Sequence, residues 1–193
     1  VLALEIVLPD GTLRRLSRPG LEGIGDGYEA TEDFSSYLLN FGGLGVITSM
    51  TMRLTEPFMV SKSIYQGLSF HVLEEHFDEI MSGPDYLSLF CTWQTEEPVM
   101  TSVWVGKTFG VNNQAPPFEA EFFGANHIAT TRIHPVPGID PECCVETGEG
   151  LWKDKIYHFK PDLPPSSGGD EIQTEYFVPS KHCCAALRAL WDR

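Results

Sequence analysis

The chain has 193 residues, 42% of them hydrophobic and 21% charged, which fits one folded domain or slightly more and excludes a disordered tract. Thirteen Lys+Arg against 27 Asp+Glu give a net charge of −14, a field that opposes nucleic-acid backbones and anionic lipid surfaces. No apolar run is long enough to cross a bilayer. Four of the five cysteines are adjacent pairs, Cys143-Cys144 and Cys183-Cys184. Neighbouring cysteines rarely bond to each other, so they are read as reduced thiols in a reducing, cytoplasmic compartment.

The chain opens at Val1, where Leu2, Leu4, Ile6 and Leu8 alternate with Ala3, Glu5 and Val7, the period-two signature of a half-buried strand. Pro9-Asp10-Gly11 predicts a tight turn and Leu13 to Leu16 a returning strand, making a hairpin. Pro19 to Glu32 reads as a loop and Phe34 to Leu39 as a short helix. The glycine-rich turn from Asn40 to Gly45 then leads into a strand from Val46 to Leu54. There Val46, Thr48, Met50, Met52 and Leu54 share one face, and Ile47, Ser49, Thr51 and Arg53 the other. Glu56-Pro57 breaks that strand and marks a domain boundary.

Beyond it, Val60 to Tyr65 reads as a strand. Val72, Leu73, Phe77, Ile80 and Met81 form a helical stripe over about 70–81, ended by Gly83-Pro84. Leu87 to Trp93 and Val99 to Lys107 predict two strands joined by an acidic turn at Glu96-Glu97-Pro98. Phe109 to Thr131 reads as a long surface loop, His134 to Gly150 as irregular, and Pro164 to Gly169 as a turn. Glu171 to Val178 alternates like a strand, and Ser180 is the expected N-cap of a terminal helix carrying Cys183, Leu187, Leu190 and Trp191. A strand with no lead-in at one end and an unfinished helix at the other predict a piece of a longer protein. Strands and helices without regular βαβ alternation predict an α+β fold with mainly antiparallel sheet.

Few residues suggest chemistry by spacing. Gly42, Gly43 and Gly45 precede a regular strand, so the main chain at Gly45, Val46 and Ile47 can approach and hydrogen-bond a planar ligand edge. A plain turn entering a sheet explains the same motif. His134 sits in a Pro-stiffened loop, with no carboxylate at a telling spacing. The cysteine pairs lack the gap that lets two thiolates face one zinc, so no metal is expected. Ser166-Ser167-Gly168-Gly169 lacks the lysine of a phosphate cradle. Glu171 and Glu175, with Gln173 on the same strand face, are as compatible with a solvated sheet as with a polyol site. Trp93 and Trp104 suit core packing or a pocket wall.

The run from Asn40 to Leu54, NFGGLGVITSMTMRL, followed by Glu56-Pro57, resembles the closing strand of the FAD-binding domain of the vanillyl-alcohol oxidase superfamily. Later segments resemble its sugar-alcohol (alditol) oxidase branch and the related aldonolactone oxidases of the D-arabinono-1,4-lactone and L-gulonolactone type. They are SLFCTW from Ser88, Val103-Trp104, HPVPG from His134, YHF from Tyr157, PSSG from Pro165 and QTEYFVP from Gln173.

The resemblance implies that residues 1–57 are the C-terminal portion of a PCMH-type FAD-binding domain. Residues 58–193 would be the N-terminal portion of a substrate-binding cap built as an antiparallel sheet with helices. It assigns Gly45, Val46 and Ile47 to the adenine end of FAD. Trp93, His134 and Glu175 are candidates for the wall of the substrate pocket. The implied activity is oxidation of the CH–OH group of a xylitol- or sorbitol-like polyol, with O2 as acceptor, giving aldose and H2O2. An aldonolactone is the alternative substrate, and a non-catalytic sugar- or partner-binding module the alternative of another class. The family's glycine-rich phosphate loop, flavinylated histidine and substrate-contacting serine belong before Val1, and its catalytic Glu, Arg and Lys after Arg193. No catalytic residue is therefore assigned within this chain, and the 193 residues alone are expected to be inactive.

Overall fold

Period-two alternation becomes sheet wherever a second strand is available to pair with it, and the computed structural model shows where that happens for residues 1–93, 98–156, 158–163, 172 and 174–192. These residues are α+β and divide into two compact units, Val1–Glu56 and Pro57–Arg193.

In the first unit, strands β1 (Ala3–Val7) and β2 (Leu13–Ser17) form the expected hairpin, in register Leu4↔Leu16 and Ile6↔Arg14. Gly11 takes φ +85° at its turn, where the Thr12 amide donates to Asp10 Oδ1. Strand β3 (Glu29–Ala30), within the expected loop, pairs parallel to β2. Helix α1 (Phe34–Leu38) follows, then β4 (Val46–Thr51), giving the sheet order β3-β2-β1-β4. Leu4, Ile6, Leu16 and Phe34 are sealed beneath Leu8, Tyr37, Leu38 and Ile47.

Strand β4 departs from its sequence reading in two ways. It stops at Thr51 rather than Leu54, because β1 begins at Ala3, the residue opposite Thr51. A bulge at Thr48 also interrupts the alternation, since Glu5 pairs with Ser49 and Ile6 with Ile47. Ile47 reaches the core, while Val46, Met50, Met52 and Leu54 are exposed.

The second unit is a seven-stranded antiparallel sheet of β5 (Phe58–Gln66), β6 (Leu68–Ser69), β7 (Tyr86–Thr92), β8 (Val99–Gly110), β9 (Glu121–Phe122), β10 (Ala125–His127) and β11 (Gly148–Leu151). Strand β5 is central, flanked by β8 on one side and by β10 and β11 on the other; β7 pairs with β8. The expected helix over 70–81 is two helices, α2 (Phe70–Glu75) and α3 (Phe77–Ser82), broken at His76 (φ −116°, ψ 24°). Ser69 caps the first, accepting from the Val72 amide at 3.2 Å. Tyr65, Leu68, Met100, Val103 and Val105 of the sheet pack with Phe70, Leu73 and Ile80 of these helices. On the other side of the alternation, Ile64 and Trp104 pack with Cys143 and Cys144.

Helix α4 (Trp152–Lys155) follows β11, and α5 (Cys183–Trp191) closes the described chain. Arg188 of α5 pairs with Glu74 of α2 through Nε–Oε1 at 2.9 Å, and Leu187 packs on the core.

Three further readings change. The loop over 109–131 contains the β9–β10 hairpin, turned by Phe123 (φ +49°) and Gly124 (φ +80°). Ser180 is not a helix cap: it begins a 3-10 turn, Ser180–His182, after Pro179. In the segment read as a strand from Glu171 to Val178, Ile172 and residues 174–178 lie in no strand, with Ile172 96% and Phe177 90% exposed. Alternation alone does not make a strand, because the main-chain groups need a partner. Glu171, Gln173, the turns at 94–97 and 164–169 (with Ser166-Ser167-Gly168-Gly169), and Tyr157 lie outside the described residues.

Gly106 of β8 faces Tyr86 of β7, and a Cβ there would stand 1.8 Å from the tyrosine ring. Gly106→Ala should therefore lower stability by about 2 kcal/mol, read as a lower urea midpoint, because the ring must leave its place and its hydroxyl contact with the Lys155 carbonyl (3.4 Å).

Candidate functional site

The glycine turn of the first unit is fixed from within. Asn40 Oδ1 accepts from the Gly42 amide at 2.7 Å, and the Asn40 carbonyl accepts from the Gly43 amide at 2.8 Å. Phe41 is left-handed (φ +51°) and its ring fully exposed. At Gly45 (φ +148°) a Cβ would lie 2.2 Å from the Val7 carbonyl oxygen. The close approach that requires glycine here is thus made by β1 of the same chain. Val46 and Ile47 then enter the ladder opposite Val7 and Ile6. Among the described residues β4 pairs with β1 alone. Its other edge is open, and Val46 is 69% exposed beside it. An edge strand of this kind offers unpaired amides and carbonyls to a planar acceptor–donor edge.

In the second unit, His134 is buried, its Nδ1 accepting from the Val136 amide at 3.0 Å, and its ring lies 5.7 Å from that of Phe159. With Gln66, Ser102 and Arg132 it lines a cavity of about 310 Å³. Arg132 is ion-paired with Glu146. The structure separates the two tryptophans. Trp104 is wholly buried, donating from Nε1 to Ser102 Oγ at 2.6 Å, whereas Trp93 sits past the end of β7 and is partly exposed. Glu175 is exposed and lies in no strand.

Sequence reasoning missed the most unusual ionisable group. Lys62, in the central strand, is 1% exposed, with its Nζ 4.2 Å above the Trp104 ring and donating to the Val145 carbonyl at 3.3 Å. Burial pushes its pKa down to about 8, with Lys155 adding a smaller push in the same direction. The His158 ring meets Trp104 edge-on at 4.8 Å, its Nε2 lies 3.2 Å from Ser88 Oγ, and burial, then Lys62, holds that imidazole below its usual range. Burial likewise raises the Cys144 thiol to about 11. The signal was present: Lys62 occupies the same strand face as Val60 and Ile64.

All five cysteines are thiols. Among the described residues no cluster of His, Cys, Asp and Glu could hold a metal ion, and no helix is long and apolar enough to cross a membrane.

No family model matches the chain. An alditol oxidase from Streptomyces sp. (strain IKD472 / FERM P-14339) is 30% identical to it over 192 residues, a match that takes in 98% of this chain and 41% of the relative. The chain therefore spans about two-fifths of the length of that relative, and is distantly related to it.

Proposed function

We propose that this chain is part of an FAD-dependent oxidoreductase that oxidises a primary carbinol of a sugar alcohol of xylitol or sorbitol type. The carbinol would lose two electrons and two protons to become a carbonyl, while O2 gains them to become H2O2. The observation that carries this reading is the similarity to an alditol oxidase along 98% of the chain. In this reading residues 1–57 complete an FAD-binding domain and residues 58–193 begin the substrate-binding cap.

The residues present fit one end of the cofactor. An adenine edge needs a main-chain donor and acceptor on a strand edge; among the described residues β4 is an edge strand, entered through Gly45 and beginning with Val46 and Ile47, and this supports the reading. Bound FAD would supply the redox chemistry, taking hydride from the carbinol carbon and passing electrons to oxygen. The chain's own part is to orient: β4 holds the adenine end, and the second unit's sheet, with the His134 cavity, contributes a wall against the polyol. The aldonolactone alternative shares this arrangement, but the relative's activity favours the polyol.

The test is to express the longer protein that contains this chain, record its visible spectrum and assay peroxide with xylitol, sorbitol and an aldonolactone. Flavin absorbance and peroxide from the polyols are expected. Turnover of the lactone alone would move the assignment to the aldonolactone branch, and a colourless, inert protein would overturn it.

A further inference from the structure

On the helix-bearing side of the second unit's sheet lies a cavity of about 210 Å³. Its floor is polar. Ser61 and Ser63 project from β5, 4% and 5% exposed, and Lys107 stands directly across from Ser61 on β8. Ser61, Ser63 and the exposed Lys107 thus bring two hydroxyls and an ammonium to one side of the cavity. Hydroxyls and an ammonium lining one cavity offer donors and acceptors to a ligand with polar groups.

The walls are aromatic. Phe118, Phe122 and Phe123 line the opening beside Pro116-Pro117. Phe118 stacks on His127 (centroids 5.7 Å apart), and Phe122 meets Phe123 edge-on at 5.1 Å. Phe123 is held in the left-handed region by the β9–β10 turn and packs on His76. Tyr65 is anchored by donating to the Glu119 carbonyl at 3.2 Å, which fixes the wall to the sheet.

The geometry points to a binding site for a neutral, cyclic, polyhydroxylated ligand: one pyranose ring, its C–H face on the phenylalanines and its hydroxyls on Ser61, Ser63 and Lys107. A cavity of about 150 Å³ holds a benzene molecule, so this one admits a six-membered ring with substituents. Charge selects against an aromatic acid. The Glu79 carboxylate lines the same space as Lys107, and the chain's net charge of −14 repels anions. The inference does not depend on the oxidase reading, since it concerns binding in the second unit only.

Methyl β-D-xylopyranoside is the probe, because it has the ring but no primary carbinol to oxidise. Saturation-transfer NMR and calorimetry on the longer protein should show saturable binding with a Kd in the millimolar range. Ser61→Val and Phe118→Ala should each weaken it about tenfold, and Lys107→Met about threefold, with folding confirmed by circular dichroism. Phe118 is nearly half exposed, so its variant tests the site even where Ser61→Val unfolds the protein. Absence of saturable binding, unchanged affinity in folded Phe118→Ala, or tighter binding of benzoate than of the pyranoside would each overturn the site. Binding that survives in a protein without flavin or peroxide would uphold the site while the oxidase reading fails.

Discussion

Replacing Gly45 by alanine should cost the first unit about 3 kcal/mol or more, several times the cost of the same change at Gly42. Both glycines sit in one turn and both have positive φ, +148° at Gly45 and +77° at Gly42. At Gly42 a methyl group meets nothing within 4 Å, so only backbone strain opposes it, about 1 kcal/mol. At Gly45 the methyl would stand 2.2 Å from the carbonyl oxygen and 3.0 Å from the carbonyl carbon of Val7. Those atoms belong to the middle strand pair of the sheet and cannot swing aside as a side chain would. Relief requires β4 to leave β1, which opens the Val46↔Val7 and Ile47↔Ile6 pairs and uncovers Ile6. Urea unfolding of the longer protein and of its G45A and G42A variants measures the contrast. Equal midpoints for the two variants would mean that the approach of Val7 is not what requires glycine. If β4 also holds a cofactor edge, G45A should retain less flavin than G42A at matched concentration, because the same displacement moves Val46 and Ile47.

That result bears on how much was legible in the sequence. The glycines were visible, and a close approach was open to either a ligand edge or the sheet itself; at Gly45 the structure supplies Val7. A period-two pattern shows that a strand has two faces; it does not show which neighbour crowds its end. The strands β1, β4, β5, β7 and β8 were readable from their residue pattern, and β2, Leu-Arg-Arg-Leu-Ser without alternation, from the Pro9-Asp10-Gly11 turn before it. Strands β3 and β9, at two residues each, and β10, at three, are too short to have a period and exist only because a neighbour pairs with them. The β9–β10 turn also lacks its usual signal, with phenylalanine where asparagine or aspartate would announce it. Ile172 and residues 174–178 show the converse, part of a strand pattern with no partner among the described residues. The functional reading came from family resemblance rather than spacing. Spacing alone left the glycine turn divided between a ligand and a plain sheet entry, and the structure adds an open β4 edge without deciding between them.

Lys62 should make the protein gain stability as pH rises above 8, against the usual trend for a folded chain. The folded lysine titrates near 8 because burial disfavours its charge, whereas in the unfolded chain it titrates near 10.5. Below pH 8 both states are protonated, and the folded state carries the whole cost of a buried ammonium, offset in part by the Trp104 face and the Val145 carbonyl. Between 8 and 10.5 the unfolded chain holds a proton that the folded one has released. Stability from this group therefore increases across that window, by about 3 kcal/mol in all. Opposing groups enter higher up. The Cys144 thiol, raised to about 11 by burial, stays protonated when the unfolded thiol ionises near 9, so its contribution falls above that point. The Tyr65 and Tyr86 phenols, also raised by burial, act the same way above 10. The Cys91 and Cys184 thiols, also raised by burial, oppose the lysine in the same range, so the wild-type curve should climb from pH 8 to 9 and then turn down. Lys62→Met keeps most of the side-chain volume and removes the titration, so subtracting its curve isolates the lysine: the difference should grow in favour of the wild type by about 3 kcal/mol from pH 8 to 10.5. The same variant should raise the pKa of His158, which Lys62 now depresses together with burial, and NMR titration of the imidazole reads this directly. Parallel denaturation curves for the two proteins from pH 7.5 to 10.5 would show that the ammonium reaches solvent and that the central strand does not bury a charge.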